Sequence, residues 1–274
     1  MPTLSSGDSR PAAREPHRAR GPAESFGTDP ARYDRTRPRY PDALVERVVA
    51  ASPGPDVLDV GTGTGIAARQ FRAAGCRVLG IDVDPRMAAF ARRHGVETEV
   101  ASFETWNRGE RLFDAVVAGQ TWHWVDPVVG TAGAARALRP GGRLAVFWNV
   151  QRPAPELAEA FADVRRRVLP DAPFPGDAGP GTTGYELLCD RADAALREQG
   201  SFGAPQRWQI DWERPYTRDA WLDQLPTFGG HAQLPPSARA ELLAGTAAVI
   251  DALGGRFTMP YTTVVVTAAR TGSD

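Results

Sequence analysis

The sequence predicts a doubly wound α/β domain, and three observations carry the prediction. Short apolar runs rich in β-branched residues alternate with helical segments from residue 56 to residue 148. The run Val57–Gly65, Val-Leu-Asp-Val-Gly-Thr-Gly-Thr-Gly, reads as a buried strand entering a glycine-rich turn and then a helix. Asp82 closes the next strand and Asp59 lies within the first, which places a nucleotide-like ligand at the carboxyl edge of a parallel sheet. Two later strands bring the expected sheet to seven strands, mostly parallel.

The elements follow in order. Residues 1–24 mix Ser, Pro, Gly, Ala and Arg without apolar periodicity and read as a disordered tail. From Phe26 aromatic and arginine residues interleave as far as Pro41, a stretch expected to fold over the ligand pocket. A helix over about 42–51, capped by Asp42, buries Leu44, Val45, Val48 and Val49. Pro53-Gly54-Pro55 then breaks the chain before the first strand, 56–60. A helix to about Ala74 ends at Gly75, and the second strand is 77–82. Asp84-Pro85 opens the next helix, with Met87, Phe90 and Ala91 inward; the third and fourth strands are 96–101 and 113–118. A helix from Pro127 or Val128 to Leu138 meets a tight turn at Arg139-Pro140-Gly141-Gly142, and the fifth strand is 143–148.

After Asn149 the alternation stops. Helices are expected over 156–168, 185–199, 218–225 and 237–253, with a Pro/Gly-rich connector at 170–184 and strands at 206–212 and 261–269. The chain therefore divides into the tail, 1–24, and one domain, 25–274. Within that domain 26–150 is the cofactor-binding half, 151–255 holds substrate and lid insertions with a late strand, and 256–274 is the last strand and tail. The inserted helices are expected to form a lid.

Composition narrows the classes. A chain of 274 residues at 42% hydrophobic supports one substantial core, and a net charge of −1 with scattered arginines argues against an obligatory nucleic-acid partner. No apolar run is long enough for a membrane span or a secretory signal, so a cytoplasmic location without membrane attachment is expected. Cys76 and Cys189 give neither a disulfide framework nor metal-ligand spacing. The chain contains no lysine, which removes Schiff-base and P-loop chemistry. Oligomeric state is not legible, and the Ala/Arg/Gly/Pro-heavy usage is that of a high-GC bacterium.

Two cofactors fit a glycine loop after a first strand. The dinucleotide fingerprint Gly-x-Gly-x-x-Gly needs its third glycine where this chain has Ile66; here the glycine comes one residue early, at Gly65. The neighbouring motifs decide. Val57–Gly65 resembles motif I of the class I S-adenosylmethionine-dependent methyltransferases. Gly80-Ile81-Asp82-Val83-Asp84-Pro85-Arg86-Met87 resembles their acidic motif, and Phe113–Gln120 and Leu138–Gly142 resemble the fourth-strand motif and the turn before strand five. Tyr33–Pro41 and Trp122-His123-Trp124 are similar to a type-11-like, small-molecule branch. The resemblance covers about 26–150, and it implies a Rossmann-like methyltransferase fold with S-adenosyl-L-methionine as cofactor.

It also implies roles. Gly61, Thr62, Gly63 and Gly65 would offer backbone to the methionine part, with Asp59 near its ammonium and Arg37 and Tyr33 closing over its carboxylate. Asp82 would accept from both ribose hydroxyls. Val83 and Met87 would pack the adenine, and Gly119 and Gln120 would lie beside the sulfonium. After strand three the family often carries an acid where this chain has Ser102, so Ser102 or the backbone of Phe103 would meet the adenine edge.

The acceptor side is expected to involve Trp122, Trp124, Asn149 and Phe228, with His123 as the catalytic candidate, either a base toward a hydroxyl or amine acceptor or a pocket wall. His231, on the Gly229-Gly230 hinge, reads as a solvated loop histidine. No metal site is expected. The resulting function is methyl transfer to a small-molecule acceptor; a non-catalytic cofactor-binding scaffold is the alternative, followed by a nucleic-acid methyltransferase and a dehydrogenase.

Overall fold

The computed structural model describes residues 25–170 and 183–272. The expected tail at 1–24 and nearly all of the connector lie outside the described residues. After a 3-10 turn at Ser25–Thr28 come helices α1 (Pro30–Thr36) and α2 (Asp42–Ala50), β1 (Asp56–Val60), α3 (Ile66–Ala73), β2 (Arg77–Asp82) and α4 (Pro85–Arg93). Then follow β3 (Glu97–Val100), β4 (Phe113–Gly119), a 3-10 turn at Trp122–Trp124, α5 (Pro127–Ala137) and β5 (Leu138–Gln151). The second half comprises α6 (Pro155–Val168), α7 (Thr183–Gln199), β6 (Gln206–Thr217), α8 (Arg218–Gln224), two further 3-10 turns, α9 (Pro236–Ala252) and β7 (Arg256–Ala269).

The seven strands form one sheet in the order β3-β2-β1-β4-β5-β7-β6. β1 to β5 pair in parallel, and β7 runs antiparallel to both β5 and β6. Strand order reverses at β1, which has β2 on one side and β4 on the other. That leaves a crevice at the carboxyl ends of β1 and β4, where the Val57–Gly65 run delivers its glycines.

Alternation along the central strands sends side chains to two apolar layers. Leu58, Val116, Leu144 and Val146 face α5 and α7, whereas Val57, Val117, Ala145 and Phe147 face α2 and α3. Leu58 and Phe71 are fully buried, and truncating either to Ala would cost about 2–5 kcal/mol. Cys76 and Cys189 are buried free thiols. Because Cys189, Ala192 and Leu196 lie in the sheet core, α7 flanks the sheet. The helices α6, α8 and α9 pack instead around Phe161, Trp221 and Ile250 and around Val164, Leu225 and Leu242.

Several boundaries differ from the sequence reading. The stretch before Pro41 contains a helix, α1, with Pro30 in its first turn and the Asp29 carboxylate accepting from the Arg32 N–H at 2.9 Å. Asp42 is not the cap of α2; Pro41 holds that position and Asp42 is the first helical residue. The Pro140-Gly141-Gly142 turn belongs to β5, because the end of β7 pairs with it: Gly141 N–H donates to the Arg270 carbonyl and Arg270 N–H to the Gly142 carbonyl. A register shift between Phe113 and Ala115 marks the irregularity. β6 runs past Trp212 to Thr217 through Pro215, tolerated because β6 is the edge strand and Pro there forfeits no ladder bond. β7 starts correspondingly earlier, at Arg256.

Candidate functional site

Gly61, Gly63 and Gly65 all take left-handed backbone, at φ 66°, 56° and 86°, so the chain reverses tightly out of β1. The turn is fixed from below. The N–H groups of Gly61 and Thr62 donate to the Ile81 carbonyl, and the Thr62 hydroxyl donates to Asp59 Oδ2 at 2.7 Å. Gly61 also packs under Thr121, whose Cγ2 would lie 2.1 Å from any Cβ added there. At Gly63 nothing lies within 4 Å of that position, so the loop presents bare backbone outward.

Two carboxylates frame the loop. Asp59 is 1% exposed, and burial, reinforced by the nearby Asp82, pushes its carboxyl up to about 7 against the pull of the Thr62 hydroxyl. Asp82 accepts the Gly63 N–H at 2.7 Å on Oδ2 and the Asp84 N–H at 2.8 Å on Oδ1. Burial outweighs these bonds and raises it to about 6. Each oxygen keeps a lone pair beyond the bond it accepts.

A cleft of about 50 Å³ lies over the loop, lined by Tyr33, Tyr40, Asp59, Gly61, Gly63 and Thr121 among others. Small-molecule sites are typically roughly 300–1,000 Å³, so the cleft is narrow for a nucleoside-sized ligand, with Tyr33 of α1 on its wall. The α1 segment is a strap held at both ends. Asp34 pairs with Arg69 of α3, while Arg35 makes a bidentate pair with Asp223 of α8 at 2.8–3.1 Å. Arg37 lies between the Tyr33 and Phe228 rings, 5.0 and 4.9 Å from their centroids, and donates to the Thr227 carbonyl at 2.6 Å. Its Nε is buried without a hydrogen-bond partner among the described residues.

The other expected residues fall into two groups. Val83 stands 47% exposed at the end of β2, but the Met87 and Phe103 side chains are buried in the core. The Ser102 hydroxyl donates to Glu104, which also accepts the Asp126 N–H at 3.2 Å. Gly119 ends β4 against the Tyr40 hydroxyl, where a Cβ would come within 2.5 Å. Gln120 is held at φ 58°, the one positive-φ residue other than glycine among the described residues, and its side chain donates to the Asn149 carbonyl.

Around His123, Trp122 is core, packed on Phe103, while the Trp124 ring lies tilted beside His123, centroids 4.8 Å apart. His123 Nδ1 accepts the Trp148 indole N–H at 3.2 Å, and burial lowers the imidazole to about 4. The Asn149 side chain is bonded on both sides, to the Arg39 carbonyl and from the Thr263 hydroxyl. His231 is buried, not solvated, with Nδ1 2.8 Å from the Leu225 carbonyl, because the two turns after α8 fold back over it. Tyr40, Thr64, Ile66, Ala67 and Thr121 line the cleft without having been singled out from sequence. For Tyr40 and Thr121 the available signal was adjacency to the Arg-aromatic stretch and to Gly119-Gln120.

Residues 58–146 match the family described as Methyltransferase domain. A methyltransferase of uncharacterised function from Mycobacterium tuberculosis is 30% identical over 253 residues, 89% of this chain and 95% of that protein. The chain belongs to the class I S-adenosylmethionine-dependent methyltransferases. This methyltransferase is also 33% identical over 129 residues, 45% of its length and 54% of the relative, to a demethylmenaquinone methyltransferase of Tropheryma whipplei. A solved structure from Anaeromyxobacter dehalogenans, assigned to type II methyltransferases, shares the methyltransferase's fold with a TM-score of 0.64 at 22% identity, over 86% of this chain and 99% of that one. The methyltransferase's cofactor is S-adenosylmethionine. The open Gly63 backbone, the two buried carboxylates and the unpartnered Arg37 Nε suit the polar groups of that molecule. Among the described residues no group of three His, Cys, Asp or Glu is placed to hold a metal ion, and no helix is long and apolar enough to cross a membrane.

Proposed function

We propose that the enzyme methylates a small molecule, releasing S-adenosylhomocysteine. The carrying observation is enclosure. The strap and the α8 segment meet beside the cleft through Arg37, Tyr33, Phe228 and Thr227, a covered approach that favours a compact acceptor over a duplex or a folded protein surface. A methyltransferase relative named for demethylmenaquinone supports the same reading.

The bound cofactor supplies a methyl group already activated on a sulfonium, so the protein's task is chiefly alignment. In this reading the backbone of Gly61, Thr62, Gly63 and Gly65 cradles the methionine portion. Asp59 holds its ammonium, and Arg37, under Tyr33, holds its carboxylate. Asp82 accepts from the ribose with the lone pairs that Gly63 and Asp84 leave over. Val83 covers the adenine face and Met87 supports it from the core. Ser102 and the Phe103 N–H meet the adenine edge, with Glu104 orienting the Ser102 hydroxyl. Gly119 and Gln120 border the methyl group, and the helices α6, α8 and α9 act as the lid.

On the acceptor side, Trp124 and Phe228 form walls, with Trp122 and Asn149 setting their backbone. His123 is the catalytic candidate. With Nδ1 engaged by Trp148, its Nε2–H is the group left to orient an acceptor oxygen or nitrogen, and proton removal requires that bond to break. The test is incubation with methyl-labelled S-adenosylmethionine and a bacterial extract separated into small-molecule, protein and nucleic-acid fractions. Label is expected in the small-molecule fraction; label confined to protein or nucleic acid would overturn the reading.

A further inference from the structure

Gly119 and Tyr40 fit one another. A Cβ added at Gly119 would lie 2.5 Å from the Tyr40 hydroxyl oxygen, 2.8 Å from Tyr40 Cζ and 2.7 Å from the Phe147 ring, so only a residue without a side chain lets the phenol rest on the end of β4. Gly119 is not at positive φ, and the close approach alone accounts for it. Tyr40 is fixed there by backbone and ring. Its N–H donates to Gln70 Oε1 at 3.0 Å and its carbonyl accepts from Gln70 Nε2 at 2.7 Å, which clamps it to α3. The ring meets Phe147 of β5 edge-on at 4.7 Å, and Pro38 and Pro41 stiffen the chain on either side.

The hydroxyl is what this packing leaves unexplained. Tyr40 is 9% exposed and lines the cleft with Asp59, Gly61 and Gly63, yet its hydroxyl makes no hydrogen bond among the described residues. A buried phenol usually finds a partner, and phenylalanine would pack on Phe147 equally well without forfeiting hydration. Burial, with Tyr33 and Asp59 nearby, raises the phenol well above its ordinary value, so it stays protonated and neutral at any working pH. What it offers the cleft is an oxygen with unoccupied lone pairs. The methyl of a sulfonium is electron-poor, and its C–H bonds are drawn to such an oxygen, the more so where little water screens the charge. In the reading above the ammonium and the ribose have carboxylates of their own, Asp59 and Asp82, which leaves the oxygen at Gly119 for the sulfonium.

Resting on the placement of Gly119 and Gln120 beside the methyl group, we propose that Tyr40 is a catalytic residue whose hydroxyl oxygen contacts the sulfonium methyl of S-adenosylmethionine and holds it toward the acceptor. In the transfer an acceptor lone pair forms the new bond to carbon, the C–S electron pair stays on sulfur, and Tyr40 neither gains nor loses a proton. Its contribution is orientation by a dipole already fixed before the cofactor arrives.

The test measures binding as well as turnover. Wild type, Tyr40→Phe and Gly119→Ala are titrated calorimetrically with S-adenosylmethionine and with S-adenosylhomocysteine, which lacks the methyl and whose sulfur is neutral. Tyr40→Phe keeps the ring on Phe147 and is expected to melt no lower than wild type. It should weaken S-adenosylmethionine by about three- to tenfold and leave S-adenosylhomocysteine unchanged. At saturating S-adenosylmethionine, label transferred to all fractions of a bacterial extract should fall by about tenfold in Tyr40→Phe. Equal weakening of the two ligands overturns the inference, since that marks a contact with the parts they share. Unchanged affinity for both, or an unchanged rate of labelling, overturns it as well. Gly119→Ala separates the inference from the reading beneath it. If Gly119→Ala weakens both ligands while Tyr40→Phe shifts neither, only the role of Tyr40 falls; if Gly119→Ala binds both as wild type does, the placement of β4 beside the cofactor falls first. Labelling is summed over all fractions, so the outcome does not depend on the class of acceptor.

Discussion

Trp148 donates its indole N–H to Nδ1 of His123 across 3.2 Å, so the histidine is neutral and carries its own proton on Nε2. A buried imidazole lowered to about 4 is a poor proton acceptor at neutral pH. His123→Ala is expected to lower kcat by about ten- to a hundredfold while leaving cofactor affinity intact. At saturating cofactor, wild-type kcat should show no histidine limb between pH 5.5 and 8, a window chosen at about one unit or more above the lowered value. Trp148→Phe frees Nδ1 for a proton, so its profile should gain an acid limb in stopped-time assays. A wild-type limb near pH 6.5 that vanishes in His123→Ala would show instead that His123 acts as a base.

The two carboxylates at the loop make cofactor binding pH-dependent. Both Asp59, about 7, and Asp82, about 6, lie above the ordinary value of 3.8, so the folded state holds their protons longer than the unfolded chain does. In the ligand-free enzyme this contribution to stability is present below about pH 4 and is lost as pH rises through 6 to 7. A cationic cofactor reverses the preference, since Asp59 must ionise to meet an ammonium. Affinity for S-adenosylmethionine should therefore rise between pH 5.5 and 7.5, at up to about tenfold per pH unit, and level off above. Titration calorimetry in buffers of different ionisation heat should detect proton release on binding.

Two glycines in one loop should respond differently to the same change. Gly61→Ala places a Cβ 2.1 Å from Thr121 Cγ2 at φ 66° and should cost about 2–4 kcal/mol of stability by denaturant melts. Gly63→Ala meets no neighbour, so its cost is backbone strain alone, about 1–2 kcal/mol. Its main effect should be on the ligand that approaches that backbone, with cofactor Kd raised at least about tenfold.

Arg37 ties the cofactor side to the acceptor side. Arg37→Ala should weaken S-adenosylmethionine by about ten- to a hundredfold, the scale of a charge-assisted hydrogen bond. Arg37→Lys should recover little, because an ammonium cannot lie flat between Tyr33 and Phe228 while reaching the Thr227 carbonyl. Asp223→Ala removes the part-exposed ion pairs with both Arg35 and Arg32 and should change stability by less than about 1 kcal/mol for each. Its expected signature is kinetic, with cofactor association and dissociation both faster in stopped-flow as the strap lifts more readily.

The cofactor half was legible because its determinants are local. A glycine at positive φ, a strand-terminal aspartate and a proline after an N-cap state their geometry within a few residues, and Val57–Gly65, Asp82 and Asp84-Pro85 do so. The edge of the sheet was less legible. Glu213-Arg214-Pro215 reads as the end of a strand, and only its place at the outside of the sheet lets β6 continue. His231 reads as solvated because nothing near it in sequence predicts that the turns after α8 will bury it.

The sequence by itself determined the doubly wound sheet, the glycine turn after β1 and the methyl donor, since each depends on backbone conformation and short-range periodicity. Tertiary structure alone decided which side chains are spent on scaffolding and which stay available. Met87, Phe103 and Trp122 went to the core, His123 was bound by Trp148, and Trp221 was left with its buried indole N–H unmatched among the described residues. That division turns on partners distant in the chain, and a hydrogen bond or its absence between residues 25 or 190 positions apart leaves no local trace.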